Sequence, residues 1–279
     1  MFVAVPCQDT WRANTVSCLA ACLLFTREVR PDIRLRFVQE RGTILQNQRA
    51  VLAREALASG ATHIMWFDAD MTFPPDAILR LLDRRKPLVG ANYSTRRAPY
   101  EPTAKSLDTK SFVYTDHLSS GLEPAVAMGF GCMLTETSVF AALSEPWFDV
   151  TAGYDEPDGR RHHSMGEDYW FCYLAGAELG IHPWVDHDLS KLVGHVGEKV
   201  CSFEDALGDR AHVRLIRSHV LERPPERLPH HLHQKLADLD GKFDADALQG
   251  KRDEYTENVR QREEAEEAAI LAAHGLSEG

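Results

Sequence analysis

Asp68 and Asp70 close the run His63-Ile64-Met65-Trp66-Phe67-Asp68-Ala69-Asp70, an apolar stretch that ends in two carboxylates separated by a single alanine. On an extended backbone, residues two apart point to the same side. The two acids can therefore share one ligand, and a divalent cation carrying a phosphate group suits them. Glu167 and Asp168 open a helix-like stretch, Gly166-Glu167-Asp168-Tyr169-Trp170-Phe171-Cys172. Capping and the helix dipole account for acids at such a start. An acid there that points into a cleft also serves as a general base. His195 lies between Gly194 and Gly197 on a short strand-like segment, and beside carboxylates a neutral imidazole is a metal ligand. Gly129 and Gly131 interrupt the apolar stretch Ala125 to Leu134, which reads either as a β-bulge or as backbone kept bare for a ligand.

Alternating strands and helices position these groups. Residues 2–6 read as a first strand, 12–28 as an amphipathic helix, 34–38 as a second strand and 44–58 as a second helix. In that helix Leu45, Leu52 and Ala56 share a side, and Arg49 falls among them, so it needs a partner or a cleft. The strand bearing the paired acids follows, then a helix over 77–82 with Pro75 near its start and a short strand over 87–91. Residues 100–125 read as a long polar connection, 125–134 as an apolar return to the core with a glycine-relieved strand at 128–134, 166–179 as a helix and 181–185 as a strand. Strand–helix–strand alternation at this spacing predicts a largely parallel sheet, and acids at a strand's C-terminal end lie where such sheets bind ligands.

The bulk properties are those of a globular protein: 279 residues, 44% hydrophobic and 26% charged. No apolar run is long enough to span a bilayer. The apolar N-terminus Met1-Phe2-Val3-Ala4-Val5-Pro6 lacks a basic flank and reads as a strand, not a leader. Six scattered cysteines favour a reducing, cytoplasmic setting. A net charge of −11 argues against broad nucleic-acid binding while leaving room for a local basic strip, with Arg84-Arg85-Lys86 and Arg96-Arg97 as candidates. His162-His163 and His230-His231-His233 lack metal-ligand spacing and read as surface loops. Beyond the Pro-rich break at 221–229, Asp253 to His274 forms a charged helical pattern with a narrow apolar stripe. Such a helix docks on the body, pairs with another subunit or frays.

The order of these features resembles the nucleotide-sugar glycosyltransferases of the GT-A fold, especially compact soluble members from bacteria and phages. The matching residues are Asn47-Gln48-Arg49, Trp66-Phe67-Asp68-Ala69-Asp70-Met71 with Phe73-Pro74-Pro75-Asp76, Val89-Gly90-Ala91-Asn92-Tyr93, Gly129 to Leu134, Gly166-Glu167-Asp168 and Gly194-His195, within residues 2–200. The resemblance implies an α/β, Rossmann-like fold with a mixed, mostly parallel central sheet flanked by helices. It places the glycosyltransferase domain at 1–203, with a nucleotide-binding half at about 1–98 and an acceptor half at about 99–203, followed by a helical extension at 204–279.

It implies, further, that Asp70 and His195 bind Mn²⁺ or Mg²⁺ and that Asp68 faces the metal or the ribose. Asp168, beside Glu167, would deprotonate the acceptor in an inverting transfer. Pro6, Gln8 and Asp9 would hold the nucleobase, with Arg49, Tyr93, Gly129 and Gly131 also at the nucleotide sugar. Trp147, Arg96 and Arg97 would lie on the acceptor side. The implied activity is transfer of a sugar, hexosyltransferase-like, from a UDP- or GDP-sugar to a hydroxyl. A modified DNA base, a virion or cell-surface protein and a small glycan all stand open as acceptors. The setting would be cytoplasmic, host cytoplasm in a phage context, and the C-terminal helix is a candidate for self-association. A catalytically silent nucleotide-sugar-binding assembly module is the competing reading, and the presence of the base Asp168 argues against it. A nucleotidyltransferase or metal phosphohydrolase is disfavoured by the lack of a glycine-rich phosphate loop and of a second dense acid cluster.

Overall fold

The computed structural model of the chain describes residues 1–108, 111–151, 154–155, 161–162, 165–197, 199–209, 253, 254, 257, 260 and 261, with backbone alone at 154–155 and 161–162. The chain divides into two units, Met1–Ala177 with Ile181–Glu226, and Glu178–Gly180 with Arg227–Gly279. In the second unit, Asp253, Glu254, Glu257, Arg260 and Gln261 are helical, and Arg260 pairs with Glu257 at 2.6 Å. The rest of the expected helix to His274 lies outside the described residues, as do His163, His230, His231 and His233.

The first unit is built from β1 (Phe2–Cys7), α1 (Ala13–Val29), β2 (Arg36–Arg41), α2 (Leu45–Ala58), β3 (His63–Phe67), β4 (Met71–Thr72), α3 (Ala77–Asp83), β5 (Leu88–Gly90), β6 (Leu122–Pro124), β7 (Cys132–Glu136) and α4 (Thr137–Ala142). It continues with β8 (Tyr154–Asp155), β9 (Arg161–His162), α5 (Glu167–Leu179), β10 (Trp184–Asp186), α6 (His187–Ser190), β11 (Gly194–Val196) and β12 (Val200–Cys201). A seven-stranded sheet runs in the order β2-β1-β3-β7-β5-β10-β6. β1, β2, β3, β5 and β10 point one way, while β7 and β6 run against them. This is the expected α/β architecture with a mixed, mostly parallel sheet. Among the described residues, no helix is long and apolar enough to cross a membrane.

The uninterrupted apolar sequences of β1 and β3 follow from their central place, where both faces are covered. Phe2 to Val5 and Ile64 to Phe67 are fully buried. β7 corrects the expectation of a strand over 128–134. Pairing starts only at Cys132, because Gly129 and Gly131 carry the chain around a neighbouring ring instead of along the sheet. β10 likewise begins at Trp184 rather than residue 181, and the expected irregular connection 100–125 contains β6. Leu45, expected on the buried side of α2, is 37% exposed, and Gln48 takes its place inside. Gln48 Nε2 donates to the carbonyl oxygens of Cys7, Glu40 and Gly42, tying the C-terminal ends of β1 and β2 together.

Beneath the site lies an aromatic core. Trp66 of β3, Phe130, Phe140 of α4, Phe148 and Phe171 of α5 contact one another with ring centroids 4.6–6.2 Å apart. Such packing fixes ring orientation beyond area burial, so it sets α5 rigidly against β3. A second, small sheet, β12-β11-β4, crosses the end of β3.

Candidate active site

The paired acids lie on the loop between β3 and β4. Asp68 N–H donates to Gly131 O at 3.1 Å, and Arg12 N–H, at the start of α1, donates to Ala69 O at 3.0 Å. β4 pairs with β11 in a register that sets His195 opposite Met71, and Val196 N–H donates to Asp70 O at 2.7 Å. That pairing brings His195 to Asp70 across the sequence. Its Nε2 lies 3.3 Å from Asp70 Oδ2, while Nδ1 lies 3.1 Å from Ser94 O. Nδ1 thus faces a carbonyl and Nε2 a carboxylate. One carboxylate and one imidazole would give a divalent metal two protein ligands, with phosphate and water completing its shell. Among the described residues no group of three or more metal-ligating side chains comes together. Burial pushes the Asp70 carboxyl up, but His195 and the Arg96 guanidinium outweigh it and hold it below the ordinary carboxylate value.

Asp68 faces a different partner. Arg49 of α2 donates from Nη2 to Asp68 Oδ1 and from Nε to Glu167 Oε1, each at 2.9 Å. The guanidinium is sandwiched against Trp66 and Phe130, with its Cζ 5.7 and 5.3 Å from the ring centroids. Cation–π contact of this kind is stronger where water is excluded. The Arg49 side chain is 1% exposed and that of Asp68 is 25% exposed, so of the two only the aspartate reaches solvent. Nη1 of Arg49 has no hydrogen-bond partner. Arg49 is therefore not a nucleotide contact as the resemblance implies. It is a buried bridge whose place on the apolar side of α2 is explained by two carboxylates. Glu167, expected beside the base as a catalytic acid, is the second of those carboxylates.

Asp168 lies at the first turn of α5, with Oδ1 accepting from Tyr169 N–H at 2.7 Å. Burial and the neighbouring Glu167 charge push its carboxyl up to about 7, against the pull of Arg49. An acid with that value can take a proton near neutral pH. Tyr169 anchors the turn from its other side, donating from its hydroxyl to Thr103 O at 2.8 Å.

Tyr93, Gly129 and Gly131 are buried together, which corrects their expected place at the nucleotide sugar. The Tyr93 hydroxyl accepts from Gly131 N–H at 2.9 Å, and its ring fills the space beside both glycines. A Cβ on Gly131 would lie 2.6 Å from Tyr93 Oη and 3.0 Å from Met71 Sδ. Gly131→Ala is accordingly expected to lower stability by about 1–3 kcal/mol in thermal or denaturant unfolding, as overpacked substitutions do. No change would mean the ring can retreat at no cost. The ring also meets the His195 imidazole edge-on, with centroids 5.4 Å apart, so it buttresses that side chain from within.

The remaining expected residues scatter. Pro6 is buried within β1. Gln8 and Asp9 are exposed just beyond it, with Asp9 paired to Arg41 at 2.6 Å. Trp147 is 6% exposed, packs on Phe140 and donates to Leu143 O at 3.3 Å, so it belongs to the core and corrects the expectation of an acceptor platform. Arg97 is exposed, whereas Arg96 turns to Asp70. The other basic strip is consumed internally, since Arg84 pairs with Asp186 and Asp188, both at 2.8 Å, and Lys86 lies over Trp184. Ser94 and Thr103, whose carbonyls orient His195 and Tyr169, carry no sequence signal because backbone oxygens do the work. All six cysteines are unpaired.

The fold and the site together define an α/β protein with a cluster of acids beyond the C-terminal ends of its central strands. No family model and no curated protein matches the chain. Among solved structures, A197 from STIV is similar at 12% identity over 73% of this chain and 90% of that one, with a TM-score of 0.47. GalNAc-T7 with UDP, GalNAc and Mn²⁺ is similar at 10% identity over 70% and 43% of the two chains, with a TM-score of 0.43. An active-site mutant of LgtC is similar at 13% identity over 49% and 57%, with a TM-score of 0.22. Similarity this low assigns neither an activity nor a residue role to this chain.

Proposed function

We propose that the chain is a metal-dependent glycosyltransferase that moves a sugar from a nucleoside diphosphate sugar to a hydroxyl acceptor with inversion. One observation carries the reading: β3 delivers two carboxylates of opposite character to one cleft, beside a third that is poised to take a proton. Asp70, held low, faces the His195 imidazole and suits a cation. Asp68 is fixed by a buried arginine, and Asp168 is kept near 7.

In this reading Asp70 and His195 hold Mn²⁺ or Mg²⁺, and Asp68 lines the nucleotide side. The metal supplies Lewis-acid neutralisation of the departing diphosphate. The acceptor oxygen bonds to the anomeric carbon as the bond from that carbon to the phosphate oxygen breaks. The electron pair leaves with the nucleoside diphosphate, and the acceptor proton passes to the Asp168 carboxylate. Arg49 holds Glu167 and Asp68 in place from its buried position without touching the substrate. We also propose residues 1–203 as the catalytic domain and 204–279 as an accessory extension.

The experiment is a panel of UDP- and GDP-sugars, with and without Mn²⁺, read by calorimetric binding and slow donor hydrolysis for the wild type and Asp70→Ala. The wild type should bind one donor in a metal-dependent way. Asp70→Ala should weaken that binding by more than the about 10–100-fold that loss of an outer-sphere partner causes. Metal-independent binding without turnover would instead favour a silent nucleotide-sugar binder.

A further inference from the structure

Arg96 lies on the loop that leaves β5 and is closed by a bridge between Ser94 and Pro102. Thr95 N–H donates to Glu101 O at 2.8 Å, and Glu101 N–H returns to Thr95 Oγ1 at 3.0 Å, so the loop has a built base. Its exposed stretch is seated against the segment that follows β11. A Cβ on Gly197 would lie 2.9 Å from the Arg96 carbonyl oxygen and 3.1 Å from the Arg96 Cβ. Only a bare backbone at 197 admits residue 96 so close.

From that seat the Arg96 guanidinium reaches Asp70 Oδ2, the same oxygen that faces His195 Nε2 at 3.3 Å. The aspartate side chain is 19% exposed and that of Arg96 is 47% exposed. The contact is thus sheltered at the acid end, and the arginine stem is open to water. A sheltered carboxylate needs a counter-charge, and Arg96 supplies one where a divalent ion would otherwise lie.

We propose that Arg96 is the resident counter-cation of Asp70, which a divalent metal displaces in order to bind. This rests on the reading of Asp70 and His195 as the metal-holding pair. Arg96 then tunes metal affinity from the N-terminal half of the fold, on the metal side of the cleft rather than the acceptor side. Because its stem is exposed, leaving Asp70 requires rotation of one side chain and no rearrangement of the sheet.

The test titrates Mn²⁺ alone, following the electron paramagnetic resonance signal of the free ion, against the wild type, Arg96→Gln and Arg97→Gln. Circular dichroism and thermal unfolding confirm that each is folded. Losing an ion pair of this exposure should tighten Mn²⁺ binding of Arg96→Gln by about three- to tenfold. Arg97→Gln, which removes the same charge one residue along, should bind as the wild type does. Affinity that is unchanged or weaker in Arg96→Gln, in a wild type that binds Mn²⁺, overturns the exchange while leaving the metal pair standing. Equal tightening in both variants also overturns it, because the effect is then the general field of the loop. Absence of Mn²⁺ binding in the folded wild type and in Arg96→Gln overturns the exchange together with the metal-holding pair.

Discussion

Arg49→Met is expected to destabilise the fold by about 3–5 kcal/mol at neutral pH, the cost of leaving buried charge without its partner. Methionine fills much of the same channel between Trp66 and Phe130, so a simple cavity is not the cause. The cause is that Asp68 and Glu167 lose the one cation that bridges them. The pH dependence separates these explanations. Burial already pushes Asp68 above the ordinary carboxylate value with Arg49 present, and removing the guanidinium raises it further. A group whose folded value is raised stabilises the fold fully below its unfolded value, about 4 for aspartate, and loses that contribution as pH rises through the folded value. The deficit of Arg49→Met should therefore be small near pH 4 and grow towards pH 8 in urea unfolding. A deficit independent of pH would assign Arg49 a packing role alone. Arg49→Lys should fall between the two, since one ammonium cannot reproduce the two-pronged bridge.

That buried bridge shows what the sequence makes legible. Arg49 announces itself because it breaks the apolar side of α2, and burying a charge demands a partner. The identity of the partners is not local. Glu167 joins from α5 at a sequence distance of 118 residues, through the packing of Phe171 on the Trp66 cluster. The acids themselves are legible because β3 is central and apolar on both faces, so the first polar residues after it must lie at the sheet's C-terminal edge. Its antiparallel neighbour is not legible, since the insertion of β7 between β3 and β5 is a choice of crossover that no periodicity within either strand records.

The glycines mislead for a related reason. Spacing by two correctly signals that something bulky approaches one side of the chain around Gly129 and Gly131. It does not say whether a ligand or a side chain approaches, and Tyr93 fills the space. Arg96 and Arg97 look alike in the sequence, as an exposed basic pair. The fold separates them because the close passage at Gly197 turns only the first towards Asp70. Site residues are thus readable from the pattern of the elements that lead to them, while the partners that set their charge come from elsewhere in the chain: Arg49 on α2, Glu167 on α5 and Arg96 on a loop.

Asp168→Asn should reduce turnover by about 10²–10⁴-fold, the contribution of a positioned general base, with little change in Mn²⁺ affinity, since Asp168 makes no contact with Asp70 or His195. The wild-type rate should rise with pH through about 7, where the Asp168 carboxyl loses its proton, and this limb should vanish in the variant. Stability runs the opposite way. Because the folded carboxyl sits near 7 and the unfolded one near 4, the folded state binds the extra proton between those values, and stability falls as pH rises through that window. Asparagine removes the titration, so Asp168→Asn should unfold at a higher temperature than the wild type at pH 8, with the gap closing towards pH 4. Activity lost while stability is gained is the outcome expected of a carboxylate held in an unfavourable place for its chemistry. If the variant loses stability and activity together at pH 8, Asp168 is instead a cap for α5, and the base must be sought elsewhere in the cleft.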